Sequence, residues 1–122
     1  MKVLIIDDDP FIVEMYSLKL KEAGYDIQAA PDGKRGLEEI RHGGWDAVLL
    51  DVVLPMMDGF EVLETIKREK LPHPPIILLT NLGQKEDIDR GLALGAVDYL
   101  IKAHFTPKEV VEKIAAAVGP KR

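Results

Sequence analysis

Val3-Leu4-Ile5-Ile6-Asp7-Asp8-Asp9-Pro10 is the stretch that decides the fold of this chain. Four apolar residues in a row, with no polar alternation, describe a strand covered on both faces, as in the interior of a parallel sheet. Three carboxylates follow directly, and Asp9-Pro10 reads as a helix N-cap with proline in the first turn. The opening is thus a strand, an acidic turn and a helix.

The same order repeats downstream. Ala47-Val48-Leu49-Leu50, Ile76-Ile77-Leu78-Leu79 and Tyr99-Leu100-Ile101 are further covered strands, and Asp26 to Ala30 is a weaker fifth. Helical spacing links them through Val13, Tyr16, Leu20 and Ala23, then Leu37 and Ile40, then Phe60, Leu63 and Ile66, and finally Val110, Val111, Ile114 and Val118. Thr106-Pro107-Lys108-Glu109 combines a helix-entry proline with a capping-box acid, while Gly24 and Gly43-Gly44 suit helix ends. Right-handed crossovers and two covered sheet faces make the economical architecture a doubly wound α/β domain with a five-stranded parallel sheet. A single domain over residues 1–122 is expected. The tail Gly119-Pro120-Lys121-Arg122 is either a natural end or the start of a linker.

Composition narrows the function classes. The 122 residues suit one domain, and 16 basic against 21 acidic residues leave a formal charge of −5. That balance argues against nucleic-acid or membrane-surface binding as the main activity. The absence of cysteine excludes disulfides, thiolate zinc sites and cysteine nucleophiles. The longest apolar run, Ile114 to Val118, is too short to span a bilayer, so a soluble, cytoplasmic protein is expected. His42, His73 and His104 are scattered and read as surface residues. Lys67, Arg68 and Lys70 read as a solvated helix end.

Ligands of an open parallel sheet bind beyond the carboxyl ends of its strands. There stand Asp7-Asp8-Asp9 after the first strand, Asp51 after the third, Thr80-Asn81 after the fourth and Lys102 after the fifth. Turn and capping chemistry is one reading of Asp7 to Asp9, and a ligand site is the other. Asp51 is different, because a carboxylate at the buried end of a central strand needs a partner. Close carboxylates at positions 7, 8 and 51 cannot all ionise cheaply unless positive charge stands beside them. Lys102 and a divalent cation supply it. All-oxygen ligation favours a hard ion, and Mg2+ suits a site with few carboxylates and several waters.

These residues resemble the receiver domain of two-component response regulators over essentially the whole chain. The resemblance is carried by Ile6-Asp7-Asp8-Asp9-Pro10, by Asp51-Val52-Val53-Leu54-Pro55-Met56-Met57-Asp58-Gly59, by Thr80, and by Tyr99 through Lys102. It implies the flavodoxin-like strand order 2-1-3-4-5. It also implies that Asp51 takes a phosphoryl group from a phosphohistidine on a sensor histidine kinase or phosphotransfer protein. Asp8, Asp51 and the Val53 carbonyl would ligate Mg2+, with Asp7 acting largely through water. Lys102 would pair with Asp51 and then with phosphoryl oxygens. Thr80 would bond the new phosphoryl group, and Tyr99 would answer by turning inward. Output to a downstream effector, or dimerisation, would use the fourth helix, fifth strand and fifth helix.

Four positions depart from the family pattern. Ala103 follows Lys102 where proline is usual, so a cis peptide there loses its proline advantage and costs roughly 3 kcal/mol. Asn81 replaces a small residue after Thr80. Val53 and Leu82, which flank the path of attacking water, are both apolar, and slow self-dephosphorylation is expected. Three alternatives stand beside the receiver reading. These are a flavodoxin-like nucleotide binder, a Mg2+-dependent phosphohydrolase of the haloacid dehalogenase type, and a phosphorylation-independent interaction module of the same fold. The first would want hydroxyls and amides where Asp7 to Asp9 stand. The second would want its nucleophile after the first strand, in an Asp-x-Asp-x-Thr pattern that Asp7-Asp8-Asp9-Pro10-Phe11 lacks.

Overall fold

The computed structural model describes residues 1–119, and Pro120 to Arg122 of the tail lie outside the described residues. The chain runs β1 (Lys2–Ile6), α1 (Pro10–Glu22), β2 (Asp26–Ala30), α2 (Gly33–His42), β3 (Ala47–Leu50), α3 (Gly59–Glu69), β4 (Ile76–Thr80), α4 (Lys85–Ala93), β5 (Asp98–Ile101) and α5 (Pro107–Val118). All strands pair in parallel in the order β2-β1-β3-β4-β5. The order implied by the resemblance is therefore the one observed.

Strand alternation divides the core into two layers. Leu4, Ile6, Val48, Leu50, Ile76, Leu78 and Tyr99 face α2 and α3, with α4 packed at the margin through Ile88. Val3, Ile5, Ala47, Leu49, Ile77, Leu79 and Leu100 face α1 through Tyr16 and Leu20, and α5 through Val110 and Ile114. The covered strands β1, β3 and β4 bury nearly every residue, whereas β2 at the edge exposes three of five. That edge position explains its weak apolar signal.

The expected helix entries form. Asp9 caps α1 by accepting from the N–H groups of Phe11 and Ile12. Thr106 and Glu109 complete a capping box on α5. Asp58 and Glu61 make a second such box on α3, which places the start of α3 hard against the acidic edge. A Cβ on Gly59 would lie 2.4 Å from the Asp51 carbonyl oxygen, so only glycine lets α3 begin there. The connecting loop turns at Met56, which takes the left-handed conformation at φ 70° with its side chain exposed. The Lys102–Ala103 peptide is trans, like every other described peptide, and Lys102–His104 form a single 3-10 turn before α5. No described helix is long and apolar enough to cross a membrane.

Candidate functional site

Backbone hydrogen bonds carry the ladder one residue beyond two strands. The Asp7 N–H donates to the Ala30 carbonyl at 3.1 Å and the Asp51 N–H to the Ile6 carbonyl at 2.9 Å. Alternation then places Asp7, Asp51 and Lys102 two residues after Ile5, Leu49 and Leu100, on the face covered by α1 and α5. Thr80 and Tyr99 share the parity of Leu78 and face the other layer. Charged groups and the hydroxyl pair thus occupy opposite sides of one sheet edge.

Four polar side chains are buried among the described residues, and Asp7, Asp51 and Thr80 are three of them. Such burial requires compensation. The Lys102 ammonium supplies it, donating from Nζ to Asp7 Oδ2 at 2.7 Å and to Asp51 Oδ2 at 3.0 Å. The remaining oxygens are also engaged, since Asp7 Oδ1 accepts from the Asp9 N–H at 3.0 Å and Asp51 Oδ1 from the Val53 N–H at 3.3 Å. Burial alone would make Lys102 easier to deprotonate, but the Asp7 and Asp51 carboxylates outweigh it and raise its pKa. Burial raises the pKa of Asp7 despite the opposing Lys102 and Asp9 hydrogen bonds. Within the pair, Asp7 is the member whose charge burial opposes.

Asp8 is exposed, yet one ligand atom from each of Asp7, Asp8 and Asp51 falls within 4.8 Å of the others. A cluster of carboxylate oxygens with no nitrogen or sulfur fits a hard divalent ion such as Mg2+, and the exposed Asp8 leaves room for coordinated water. Val53 points its side chain into solvent, while its N–H binds Asp51. The structure therefore gathers Asp7, Asp8, Asp51, Val53 and Lys102 at one edge.

On the opposite face, Thr80 Oγ1 accepts from the Leu82 N–H at 3.3 Å, and the Tyr99 hydroxyl donates to the Leu82 carbonyl. The Tyr99 ring is buried, and its phenol is pushed up to about 12, first by desolvation and then by the charges of Asp87 and Asp51. Tyr99 already lies inward. Sequence reasoning saw Leu82 only as an apolar flank and missed that its backbone joins Thr80 to Tyr99. No sequence signal marks such a role, because every residue but proline carries both backbone groups. His42, His73 and His104 are exposed and stand apart from the cluster, as expected.

A parallel sheet in this order, with acids after β1 and β3 and a lysine after β5, defines a doubly wound domain whose carboxyl edge could hold a metal ion. The chain belongs to the response regulator receiver domain family, whose model matches residues 3–115. Receiver domains serve two-component signal transduction, with a phosphoaspartate and Mg2+ as general features. Among curated relatives, the DNA-binding dual master transcriptional regulator RpaA of Synechocystis is 40% identical over 116 residues, covering 94% of this chain and 48% of that protein. The alkaline phosphatase synthesis transcriptional regulatory protein PhoP of Bacillus subtilis is 38% identical over 115 residues, covering 94% and 47%. The chain spans about half the length of these relatives. Among solved structures, the receiver domain of the Francisella response regulator 1452 superposes with TM-score 0.88 at 32% identity, covering 96% of this chain and 95% of that one. The Vibrio cholerae chemotaxis protein CheY4 does so with TM-score 0.84 at 32% identity, covering 95% and 97%.

Proposed function

We propose that residues 1–122 form one receiver domain that works as a phosphorylation-dependent switch in the cytoplasm, with Asp51 as the acceptor. The observation that carries this reading is the shared Lys102 ammonium, which bridges Asp7 and Asp51 at the buried end of the central strands. An Asp51 carboxylate oxygen attacks phosphorus of a phosphohistidine on a sensor histidine kinase or phosphotransfer protein. As the O–P bond forms, the P–N bond breaks and imidazole leaves with that electron pair, later taking a proton from solvent. Asp7, Asp8, Asp51 and the Val53 carbonyl would hold Mg2+, which when bound supplies positive charge to the phosphoryl oxygens. Lys102 keeps its ammonium beside Asp51 and neutralises those oxygens from the protein side.

Thr80 accepts from Leu82 and keeps its own hydroxyl proton, which it donates to the phosphoryl group. That pull moves Leu82, whose carbonyl holds Tyr99, so the new charge biases the inward ring and the surface of α4, β5 and α5. A downstream effector, or a second copy in a dimer, reads that surface.

Incubation with acetyl phosphate and Mg2+, followed by intact mass, tests the assignment. Wild type is expected to gain one phosphoryl group and Asp51→Asn none. Equal labelling of the variant removes Asp51 from the role. Effector binding that survives Asp51→Asn unchanged would instead favour the phosphorylation-independent module.

A further inference from the structure

We propose that Tyr16 is a positioning residue for Lys102, its hydroxyl steadying the ammonium from within the α1 layer so that it stays aimed at Asp51. The inference rests on the reading of Asp51 as acceptor and Lys102 as its charge partner. Tyr16 was expected only as one more apolar contact on the buried stripe of α1. Its place in the fold says more.

Helix α1 starts at Pro10, immediately after the acidic turn, so its N-terminus lies at the site edge. Helical side chains lean toward the N-terminus of their own helix. Tyr16 is therefore aimed back toward the carboxyl ends of the strands. It is 2% exposed and, among the described residues, the largest fully buried side chain. It packs in the layer of Ile5, Leu49 and Leu100, the residues two positions before Asp7, Asp51 and Lys102. The strand period of two puts those three charged side chains next in the same rows, above the ring.

The chemistry agrees with the placement. Burial raises the phenol's pKa, the Lys102 ammonium works in the opposite direction and the Asp7 carboxylate adds to the rise. Both site charges thus reach the hydroxyl, which stays neutral and able to accept a hydrogen bond at physiological pH. An ammonium has three N–H donors, and the Lys102 bonds to Asp7 and Asp51 use two. The third can reach the Tyr16 oxygen through one water. This matters most when Asp7, part of the 4.8 Å carboxylate cluster, turns to a cation. Lys102 then loses one of its two carboxylate partners, and the Tyr16 hydroxyl, held by packing, keeps it oriented. Leucine or phenylalanine would fill the layer equally well but could not do this.

Tyr16→Phe removes the hydroxyl and keeps the ring. With acetyl phosphate at saturating Mg2+, the maximal phosphorylation rate is expected to fall about tenfold, with the half-saturating donor concentration and the thermal midpoint unchanged. In the metal-free protein, the Lys102 ammonium signal in proton–nitrogen NMR is expected to shift and to exchange faster with water. Wild-type rates together with a wild-type Lys102 signal in Tyr16→Phe overturn the proposal. Should that variant fail to fold, the wild-type protein still decides. A nuclear Overhauser contact between the Lys102 ammonium and the Tyr16 ring is expected, and its absence overturns the proposal. A wild type that takes up no phosphoryl group at all defeats the Asp51 reading rather than the Tyr16 one.

Discussion

Asp7 is the residue whose chemistry pulls hardest against the fold. Burial raises its pKa above the ordinary aspartate value, even with Lys102 at 2.7 Å. The folded chain thus holds this proton more tightly than the unfolded chain, so its contribution to stability declines as pH rises through the raised value. Lys102 shifts in the same direction for a different reason, its carboxylate partners outweighing burial. Its pKa is raised above 10.5, so its contribution is fully present below that value and is lost as pH climbs through the folded-state value. Asp7→Asn is accordingly expected to raise the thermal midpoint without divalent cation and to flatten its decline as pH rises through the raised Asp7 value, as scanning calorimetry would show. An unchanged midpoint would mean that the Lys102 bond fully compensates the carboxylate. Val53 and Leu82 define a second residue-scale expectation. Neither side chain can orient water, and replacing the pair by Asn and Glu should shorten the acyl-phosphate half-life about tenfold, measured by loss of the phosphorylated mass. The acids and Lys102 were readable in the sequence because charge after a covered strand is chemically conspicuous. Tyr16 was not, because a tyrosine on an apolar stripe looks like packing until its neighbours on other strands are known.

At the scale of elements, α4 is the piece least visible in the chain. It fully buries only Gly91, so it lacks the apolar stripe that revealed α1, α3 and α5. The structure shows why glycine stands there. A Cβ on Gly91 would lie 2.4 Å from Leu78 Cδ1 and 2.9 Å from Tyr99 Cδ2. Gly91→Ala should therefore push α4 outward or turn Tyr99 out, and the Tyr99 phenol should fall from about 12 toward the ordinary tyrosine range in ultraviolet titration. A second contact ties α4 to α3, as Arg90 pairs with Glu64 at 3.1 Å and stacks over Phe60 at 4.4 Å. Both partners of the pair are substantially exposed, so Arg90→Ala should cost about 1 kcal/mol or less in denaturant unfolding. The 3-10 turn after β5 also escaped sequence reasoning, which had no residue pattern for it. The trans Lys102–Ala103 peptide accords with the missing proline.

For the whole molecule, the gathering of acids at one edge sets how the fold responds to its cation. A ligand that binds only the folded state stabilises it by about 2.7 kcal/mol at a hundred times its dissociation constant. Saturating Mg2+ should thus raise the midpoint by several degrees, and Asp8→Asn should abolish most of the rise, since Asp8 is the exposed member of the cluster. The effect should shrink as pH falls through the raised Asp7 value, because a proton then competes at a ligand oxygen. Fold class followed from the repeating covered strands and their punctuation, and strand order from the family resemblance alone. The two-sided layout did not, because opposite parity of Lys102 and Tyr99 has meaning only once their strand is paired.

Position 82 divides its duties between main chain and side chain. The amide and carbonyl link Thr80 with Tyr99 for any residue but proline, while the isobutyl group, if Asp51 is the acceptor as proposed, would border the route by which water reaches the acyl phosphate. Timing and transmission are thus separable at a single codon: a substitution can reset how long the message lasts without cutting the wire that delivers it.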